Sequence, residues 1–340
     1  MSASGTAVAP HGIAVNGVVA ADTGGIAPEA DLIAEIQEWK RRRHAVILAH
    51  NYQIAPVQDI ADYVGDSLGL SRQAAATEAE VIVFCGVHFM AETASILSPN
   101  KTVLLPDLAA GCSLADTIDA EQLRQWKAQH PGAVVVSYVN TTAEVKAESD
   151  FCCTSGNALK VVQSIPEDQE ILFLPDFFLG SWIQRVTGRR MHIWMGECHV
   201  HAGIHPDAIA QARAAHPGAE LLVHPECGCT TSVLYYLEDG TIPRGGAAVV
   251  STEGMINRAR SSPADEFLVA TETGVLHRMQ RDNPGKRFIP VSDGAVCAYM
   301  KTITLSKVRD ALREMQYEVR VPWAIAERAR CSIDRMLAIG

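Results

Sequence analysis

The sequence lacks long apolar runs and an excess of basic residues, and both absences exclude classes of function. No stretch reaches the roughly 18 uncharged apolar residues that a membrane-spanning helix needs. Lysine and arginine together number 29 against 39 acidic residues, so the formal net charge is −10. A chain this acidic is a poor ligand for nucleic acids or anionic membrane surfaces. We therefore expect neither a nucleic acid nor a membrane among its partners.

The N-terminal residues 1–29 contain neither lysine nor arginine. A secretory signal begins with basic residues and a transit peptide is rich in arginine, so neither is indicated. Their richness in alanine, glycine and valine predicts a disordered tail on a cytoplasmic protein. The full chain is 48% hydrophobic and 20% charged, a composition that supports sizeable cores in two or three domains.

Short apolar runs alternate with helical patterns through the rest of the chain, which predicts an α/β fold. A helix is expected over residues 30–43, and one continuous helical stretch over 56–79. Shorter helices are expected at 90–97 and 156–163. The predicted strands comprise residues 45–49, 81–84, 102–105, 133–137, 171–174, 192–195, 221–223, 248–250, 266–270 and 287–290.

The same arrangement recurs three times along the chain. Polar triplets follow the first strand of each repeat at residues 50–52, 138–140 and 224–226, with spacings of 88 and 86 residues. A cysteine near a glycine closes each repeat, and these cysteines are Cys112, Cys198 and Cys297. Such periodicity predicts three similar αβα domains, each with a short parallel sheet, arranged around a pseudo-threefold axis.

The repeat also sets the expected domain boundaries. The first domain comprises residues 30–112 together with C-terminal helices in 298–340, the second comprises 113–198, and the third comprises 199–297. Ligands bind beyond the carboxyl ends of parallel strands. The polar triplets and the three cysteines are therefore expected to face one site.

Nine cysteines in a cytoplasmic chain are not expected to form a framework of disulfides. The equivalent positions of Cys112, Cys198 and Cys297 predict instead that three thiolates bind one [4Fe–4S] cluster and leave one iron open. A helix that begins after Cys112 is expected to lower the pKa of its thiol. Zinc more often uses pairs spaced as C-x₂-C, which are absent from the sequence.

Two other cysteine pairs remain as alternative metal ligands. Cys227 and Cys229 alternate along a segment that is expected to be extended, so both side chains would point the same way. Cys152 and Cys153 are adjacent in the chain, and adjacent side chains usually diverge.

Six polar residues at predicted strand ends suit proton transfer and the orientation of carbonyl or carboxylate groups. They are His50, Tyr52, Tyr138, Asn140, His224 and Glu226. Each repeat also places hydroxyl groups at a predicted helix start, within residues 65–67, 154–157 and 251–254, where free backbone N–H groups bind anions. The expected ligand is therefore a small polyanion. Four further histidines are interpreted as supporting or structural, namely His88, His199, His201 and His205.

Ten short stretches of this sequence, taken in order, resemble those of quinolinate synthases, the bacterial A-type enzymes of de novo NAD biosynthesis. The matching stretches are residues 48–53, 65–67, 83–93, 111–116, 137–141, 153–158, 196–201, 224–227, 251–255 and 297–301. The resemblance extends over about residues 30–340. It implies three similar α/β domains around a pseudo-threefold axis, with one cluster ligand from each of Cys112, Cys198 and Cys297.

The family condenses iminoaspartate with dihydroxyacetone phosphate and releases quinolinate, phosphate and two water molecules. The resemblance therefore implies these two small molecules as substrates, and an open iron of the [4Fe–4S] cluster as a Lewis acid. It also implies that an L-aspartate oxidase or an aspartate dehydrogenase is the functional partner that supplies iminoaspartate.

Carried over by position, the resemblance implies roles for individual residues. Tyr52 and Glu226 are implied to be the acid–base pair, and His224 is counted with them as catalytic. The residues implied to bind the substrates or the intermediate are His50, Ser67, Tyr138, Asn140, Ser155, His224, Glu226, Ser251 and Thr252. Some members carry two further cysteines before the third cluster ligand, at places where this sequence has Val291 and Gly294.

Two other classes of function remain at this stage. A non-catalytic iron–sulfur or zinc protein on the same scaffold would need neither the polar triplets nor the anion-binding loops. An aldolase or isomerase of sugar phosphates would not need the three cysteines. For that class, the absence of a lysine at a predicted strand end disfavours Schiff-base chemistry.

Overall fold

The computed structural model describes residues 29–238, 240–243 and 245–339. The tail predicted for residues 1–29 lies outside them, except that Glu29 begins the first helix. Within these ranges the chain forms three four-stranded sheets. The strands are β1 Ala45–His50, β2 Tyr63–Gly65, β3 Val81–Cys85, β4 Thr102–Leu104, β5 Val134–Tyr138, β6 Phe151–Cys153, β7 Ile171–Leu174, β8 His192–Ile193, β9 Glu220–Val223, β10 Ala247–Val249, β11 Glu266–Ala270 and β12 Arg287–Pro290.

The three sheets share one strand order. The first is β2-β1-β3-β4, the second β6-β5-β7-β8, and the third β10-β9-β11-β12. Neighbouring strands within each sheet are parallel. The predicted α/β fold, with three similar domains that each contain a short parallel sheet, is therefore confirmed.

Helices surround the sheets. Among the described residues, no helix is long and apolar enough to cross a membrane. They are α1 Glu29–Arg42, α2 Ala55–Ile60, α3 Ser67–Ala76, α4 His88–Leu97, α5 Ala120–Gln129, α6 Ala143–Ala147, α7 Ala158–Ser164, α8 Phe177–Thr187, α9 His199–Ala202, α10 Pro206–Ala215, α11 Thr230–Glu238, α12 Thr252–Ser261, α13 Val275–Asp282, α14 Leu305–Glu314 and α15 Trp323–Ile339. Two short 3₁₀ turns lie at Ala115–Thr117 and Met300–Thr302.

The central strands are continuous apolar runs because helices cover both faces of parallel sheets. β3 is buried along its whole length, and the first sheet packs against α1, α3, α4 and α14. Polar side chains are rare within such strands, although Ser137 in β5 and Glu220 at the start of β9 are buried. The polar triplets of the sequence therefore mark the carboxyl edges of the three sheets.

The C-terminal helices link the first two units of the fold. α14 packs against α1 and β3, whereas α15 packs mainly against α6 and β6 of the second unit and also contacts α4. In α15 the Ser332 hydroxyl donates to the Lys146 carbonyl oxygen at 2.9 Å. The assignment of residues 298–340 to the first domain stays a prediction, and α15 is shared between two units.

The structure corrects two expectations at the sheet edges. The helical stretch predicted for residues 56–79 is divided, because the edge strand β2 separates α2 from α3. The strand β6 was not predicted at all. These two strands contain no run of Val, Ile or Leu, whereas the equally short β4 lies within an apolar run that was predicted. Each of them depends on pairing with the central strand beside it.

Candidate active site where the three sheets meet

One cavity is lined by residues that follow strands of all three sheets. His50 ends β1, Tyr138 ends β5, and His224 directly follows β9, so the same edge of each sheet contributes. The predicted site residues in its lining are His50, Tyr52, Ser67, Cys112, Tyr138, Asn140, Ser155, Cys198, His224, Glu226, Thr252 and Cys297. Ser251 is the one predicted site residue outside the lining. The convergence expected from the repeat is therefore present.

The three lining cysteines occupy equivalent local structures. Cys112, Cys198 and Cys297 are free thiols, and each precedes a helical turn, namely Ala115–Thr117, α9 and Met300–Thr302. In each case the backbone N–H three residues further on favours the thiolate and so lowers the pKa of the cysteine. The repeat thus builds the same sulfur position three times.

A hydrogen-bonded network connects Tyr52, His201 and Glu226. The Tyr138 hydroxyl donates to Glu226 Oε1, and His201 Nδ1 lies 3.0 Å from Glu226 Oε2. On its other side, His201 Nε2 lies 3.3 Å from the Tyr52 hydroxyl. That hydroxyl is also 2.7 Å from Thr271 Oγ1. Tyr52 and Glu226 are therefore joined through one imidazole.

The predicted anion-binding loops begin helices at the same edge of the fold. Asp66 caps α3 and Ser251 caps α12. Both approach Gly156 of the third loop, since a Cβ added to Gly156 would lie 3.4 Å from Ser251 Oγ and 3.8 Å from Asp66 Oδ2. The Ser251 hydroxyl is occupied by capping, because it accepts from the Gly254 N–H at 3.2 Å.

Comparison with known proteins identifies the family. The family described as NadA: Quinolinate synthetase A protein matches residues 34–338. A quinolinate synthase of Thermus thermophilus is 57% identical over 309 residues, which cover 91% of this chain and 97% of that protein. The chain belongs to the quinolinate synthase family. The resemblance expected from the sequence is confirmed, and the alternative of a non-catalytic protein is set aside because the family consists of enzymes.

Two further relatives give the same result. The quinolinate synthase of Mycobacterium sp. strain KMS is 57% identical over 316 residues, which cover 93% of this chain and 94% of that protein. The quinolinate synthase of Mycobacterium tuberculosis strain H37Ra is 55% identical over 318 residues, which cover 93% and 91%. The similarity therefore spans all three sheets.

The cysteine positions of this quinolinate synthase family member fit an iron–sulfur cluster. Three thiols face one cavity, and thiolates are the usual ligands of such clusters. Among the described residues, the three sulfur atoms do not all lie within 4.8 Å of one another, so the three thiols by themselves do not form a compact site for a single ion. The competing pair Cys227–Cys229 is joined by a disulfide, so it has no thiolate to offer a metal.

Burial corrects the expected ionisation of the cysteines. It raises the pKa of Cys112 to about 12, although the backbone N–H groups of Ala115 and Leu114 favour the thiolate. Burial also raises the pKa of Cys198 and of Cys297. The expectation that the helix after Cys112 lowers the pKa of its thiol is therefore wrong in the net direction, because burial outweighs the backbone N–H groups. The thiolates need the positive charge of a bound metal.

Sequence reasoning missed His201, which it interpreted as supporting or structural. The side chain lines the cavity, and its Nδ1 lies 3.3 Å from Cys198 Sγ. Its ring stacks on His224 with 4.7 Å between centroids. His201 follows Cys198 by three residues, a spacing that places both side chains on the same side of a helical turn. This spacing was the signal in the sequence that could have identified His201.

Glu272 is a second residue that sequence reasoning missed. Its carboxylate is fully buried and accepts from the Cys297 N–H at 3.1 Å and the Gly274 N–H at 2.7 Å. Lys301 Nζ lies 2.8 Å from the same carboxylate and also donates to the Tyr52 carbonyl oxygen at 2.5 Å. Glu272 therefore links the loop of the third cysteine to the end of the first sheet.

Proposed function

We propose that this enzyme condenses iminoaspartate with dihydroxyacetone phosphate to form quinolinate, phosphate and two water molecules in de novo NAD biosynthesis. The observation that carries the proposal is the shared cavity. One cysteine from each of three repeats lies there beside the network of Tyr52, His201 and Glu226. Family membership supports the same reaction.

We assign Cys112, Cys198 and Cys297 as the ligands of a [4Fe–4S] cluster. When bound through three thiolates, such a cluster supplies one open iron, a Lewis acid that assists the loss of hydroxide as water. The backbone N–H groups at the three helical turns orient the sulfur atoms for this purpose.

The chain itself supplies the proton transfers that isomerisation and ring closure require. Burial, together with the nearby charge of Glu226, raises the pKa of Tyr52 well above its ordinary value, so its hydroxyl is a proton donor. Burial works against ionisation of Glu226, but the protonated His201 ring beside it lowers the pKa of its carboxyl. Glu226 is therefore the base, and His201 is placed to pass a proton between it and Tyr52.

Neutral imidazoles and hydroxyls bind the anionic groups of the substrates. Burial lowers the pKa of His50 and of His224 to about 3, so both rings are uncharged hydrogen-bonding groups at neutral pH. Ser155 Oγ lies 3.2 Å from His224 Nε2 and holds that ring in place. Ser67 and Thr252 open α3 and α12, whose N-terminal N–H groups attract phosphate or carboxylate.

The remaining groups and partners complete the proposal. Tyr138 and Asn140 hold the intermediate within the cavity, and the Tyr138 hydroxyl also orients the Glu226 carboxylate. The enzyme acts in the cytoplasm, where an L-aspartate oxidase or an aspartate dehydrogenase supplies iminoaspartate.

The test is anaerobic purification followed by iron and sulfide counts, an EPR spectrum after reduction, and an assay for quinolinate. Cys112→Ser is expected to lose both the cluster signal and the product. The matched control is Cys331→Ser, which alters an exposed thiol and should change neither. A protein that contains the cluster but forms no quinolinate would refute the proposed reaction, and an active Cys112→Ser variant would favour a cluster-free mechanism.

A further inference from the structure

Outside the cavity, the second unit carries a cluster of side chains that the proposed function does not use. His130 Nδ1 lies 2.6 Å from Glu170 Oε1, and His192 Nε2 lies 2.7 Å from the same oxygen. The two imidazole centroids are 4.2 Å apart. We name His130, Glu170 and His192 the surface cluster. None of the three lines the cavity described above.

Regular structure fixes the positions of the surface cluster. His130 directly follows α5, Glu170 directly precedes β7, and His192 belongs to β8. The pairing of β7 with β8 sets His192 opposite Leu172. The ring of Trp126 packs edge-on against His130 at 6.4 Å. Side chains held by a helix end and two paired strands are better organised for a ligand than side chains on a free loop.

We propose that the surface cluster binds a divalent transition-metal ion, with zinc as the representative. Two imidazole nitrogens and a carboxylate oxygen are a ligand set that zinc uses in proteins, with water at the fourth position. Imidazole ligands favour zinc, copper and nickel over magnesium and calcium. All three ligand atoms lie within 4.8 Å of one another, which is the spacing that a single ion can span.

The geometry requires only a small adjustment when the ion binds. In the ion-free arrangement both imidazoles donate N–H hydrogen bonds to one carboxylate oxygen, and the cation would replace those two protons. Ligand atoms of a tetrahedral zinc site are about 3.4 Å apart, so each N···O distance must open by less than about 1 Å. The side chains of His130, Glu170 and His192 are 22%, 42% and 48% exposed, which leaves them room to move.

The charge of the surface cluster also suits a cation. Hydrogen bonding to His130 lowers the pKa of Glu170, so the carboxyl is ionised at neutral pH. The bound ion would bridge the end of α5 to the β7–β8 edge of the sheet. Its expected consequence is therefore a firmer attachment of α5 to the second sheet.

The experiment titrates the anaerobically purified, cluster-containing full chain with zinc ions alone and follows the heat of binding. The wild-type protein is expected to bind one zinc ion. His130→Ala and His192→Ala should each weaken that binding at least tenfold, since loss of an outer-shell partner alone costs 10–100-fold. The matched control is His216→Ala, because His216 Nδ1 pairs with Glu266 at 3.2 Å without a second imidazole.

A cobalt titration separates the surface cluster from the cysteines of the cavity. Cobalt on imidazole and carboxylate ligands should give a visible absorption without the near-ultraviolet band of cobalt thiolates. Equal zinc binding by the wild type and the His130→Ala and His192→Ala variants would overturn the proposal. A cobalt spectrum dominated by the thiolate band would overturn it as well.

Discussion

Two clusters in this molecule contain two histidines and one glutamate each, yet their surroundings differ. His201, His224 and Glu226 form the cavity cluster, whose side chains are 3–5% exposed. The side chains of the surface cluster are 22–48% exposed. In both clusters two imidazole rings lie within 5 Å of each other. The residue types are therefore the same, and the difference in chemistry comes from burial.

Burial separates the charge states of the cavity cluster. It lowers the pKa of His224 to about 3. For His201 burial acts in the same direction, but Cys198 and Glu226 outweigh it and raise the pKa of that ring to about 10. Two stacked imidazoles thus carry different charges at neutral pH, an arrangement suited to proton transfer. Solvent screens such electrostatic pKa shifts at the surface. The imidazoles and carboxylate of the surface cluster are therefore better suited to bind an ion.

Treatment with oxygen and treatment with a chelator should show the largest contrast between the cavity and the surface cluster. Exposure to air should destroy the proposed [4Fe–4S] cluster and abolish quinolinate formation, because the open iron of such a cluster is accessible to oxidants. A brief EDTA treatment should remove zinc from the surface cluster and leave iron content and activity unchanged. Iron, sulfide and zinc are counted beside the activity assay. Full activity after aerobic purification would contradict the assignment of an open iron.

Replacing the glutamate of the cavity cluster should have the next largest effect. Glu226→Gln keeps the shape of the side chain but removes the base, so kcat should fall 10²–10⁴-fold while the EPR signal of the cluster remains. The matched control is Glu266→Gln, which alters a glutamate paired with His216 at the surface and should leave kcat unchanged. Loss of the cluster signal in Glu226→Gln would show that Glu226 is structural instead.

The buried carboxylate of Glu272 should stabilise the proposed [4Fe–4S] cluster indirectly, through the loop of Cys297. Glu272→Gln leaves Lys301 without its charged partner, so the free energy of unfolding should fall by about 3 kcal/mol. Iron should also be released faster to a chelator, because Glu272 holds the Cys297 N–H.

The control for Glu272 is a more exposed ion pair. Glu253 Oε2 accepts from Arg278 at 2.8 Å, and its side chain is 32% exposed. Glu253→Gln should cost less than about 1 kcal/mol and leave iron release unchanged. Equal destabilisation by the two substitutions, with unchanged iron release in both, would show that Glu272 has no special role in holding Cys297.

The repeat in the sequence predicted much of this site, because each strand and the polar residues that end it are neighbours along the chain. Polar residues end apolar strands, and the strand order brings His50, Tyr138 and His224 to one edge. The strands β2 and β6 could not be predicted, because they contain no run of Val, Ile or Leu, whereas the equally short β4 and β10 lie within apolar runs. The pKa of Cys112 was predicted in the wrong direction, since burial of the thiol outweighs the backbone N–H groups near it.

Glu272 and the surface cluster show a second limit of prediction from the sequence. The partners of Glu272 at Cys297 and Lys301 are 25 and 29 residues away along the chain, and no local spacing connects them. His130, Glu170 and His192 are brought together only when α5 packs beside the β7–β8 edge. Long-range packing creates these contacts, so a reading of local patterns could not predict them.

The smallest effect is expected from a single methyl group at the anion-binding loops. Gly156→Ala places a Cβ 3.4 Å from Ser251 Oγ and 3.8 Å from Asp66 Oδ2, which is ordinary contact. The stability should therefore change by less than about 0.5 kcal/mol, whereas the KM for dihydroxyacetone phosphate should rise several-fold because the methyl group occupies space between the helix starts. Gly218→Ala is the control, since nothing lies within 4 Å of its added Cβ. An unchanged KM in Gly156→Ala would place phosphate binding elsewhere in the cavity, away from the point where the α3 and α12 caps approach each other.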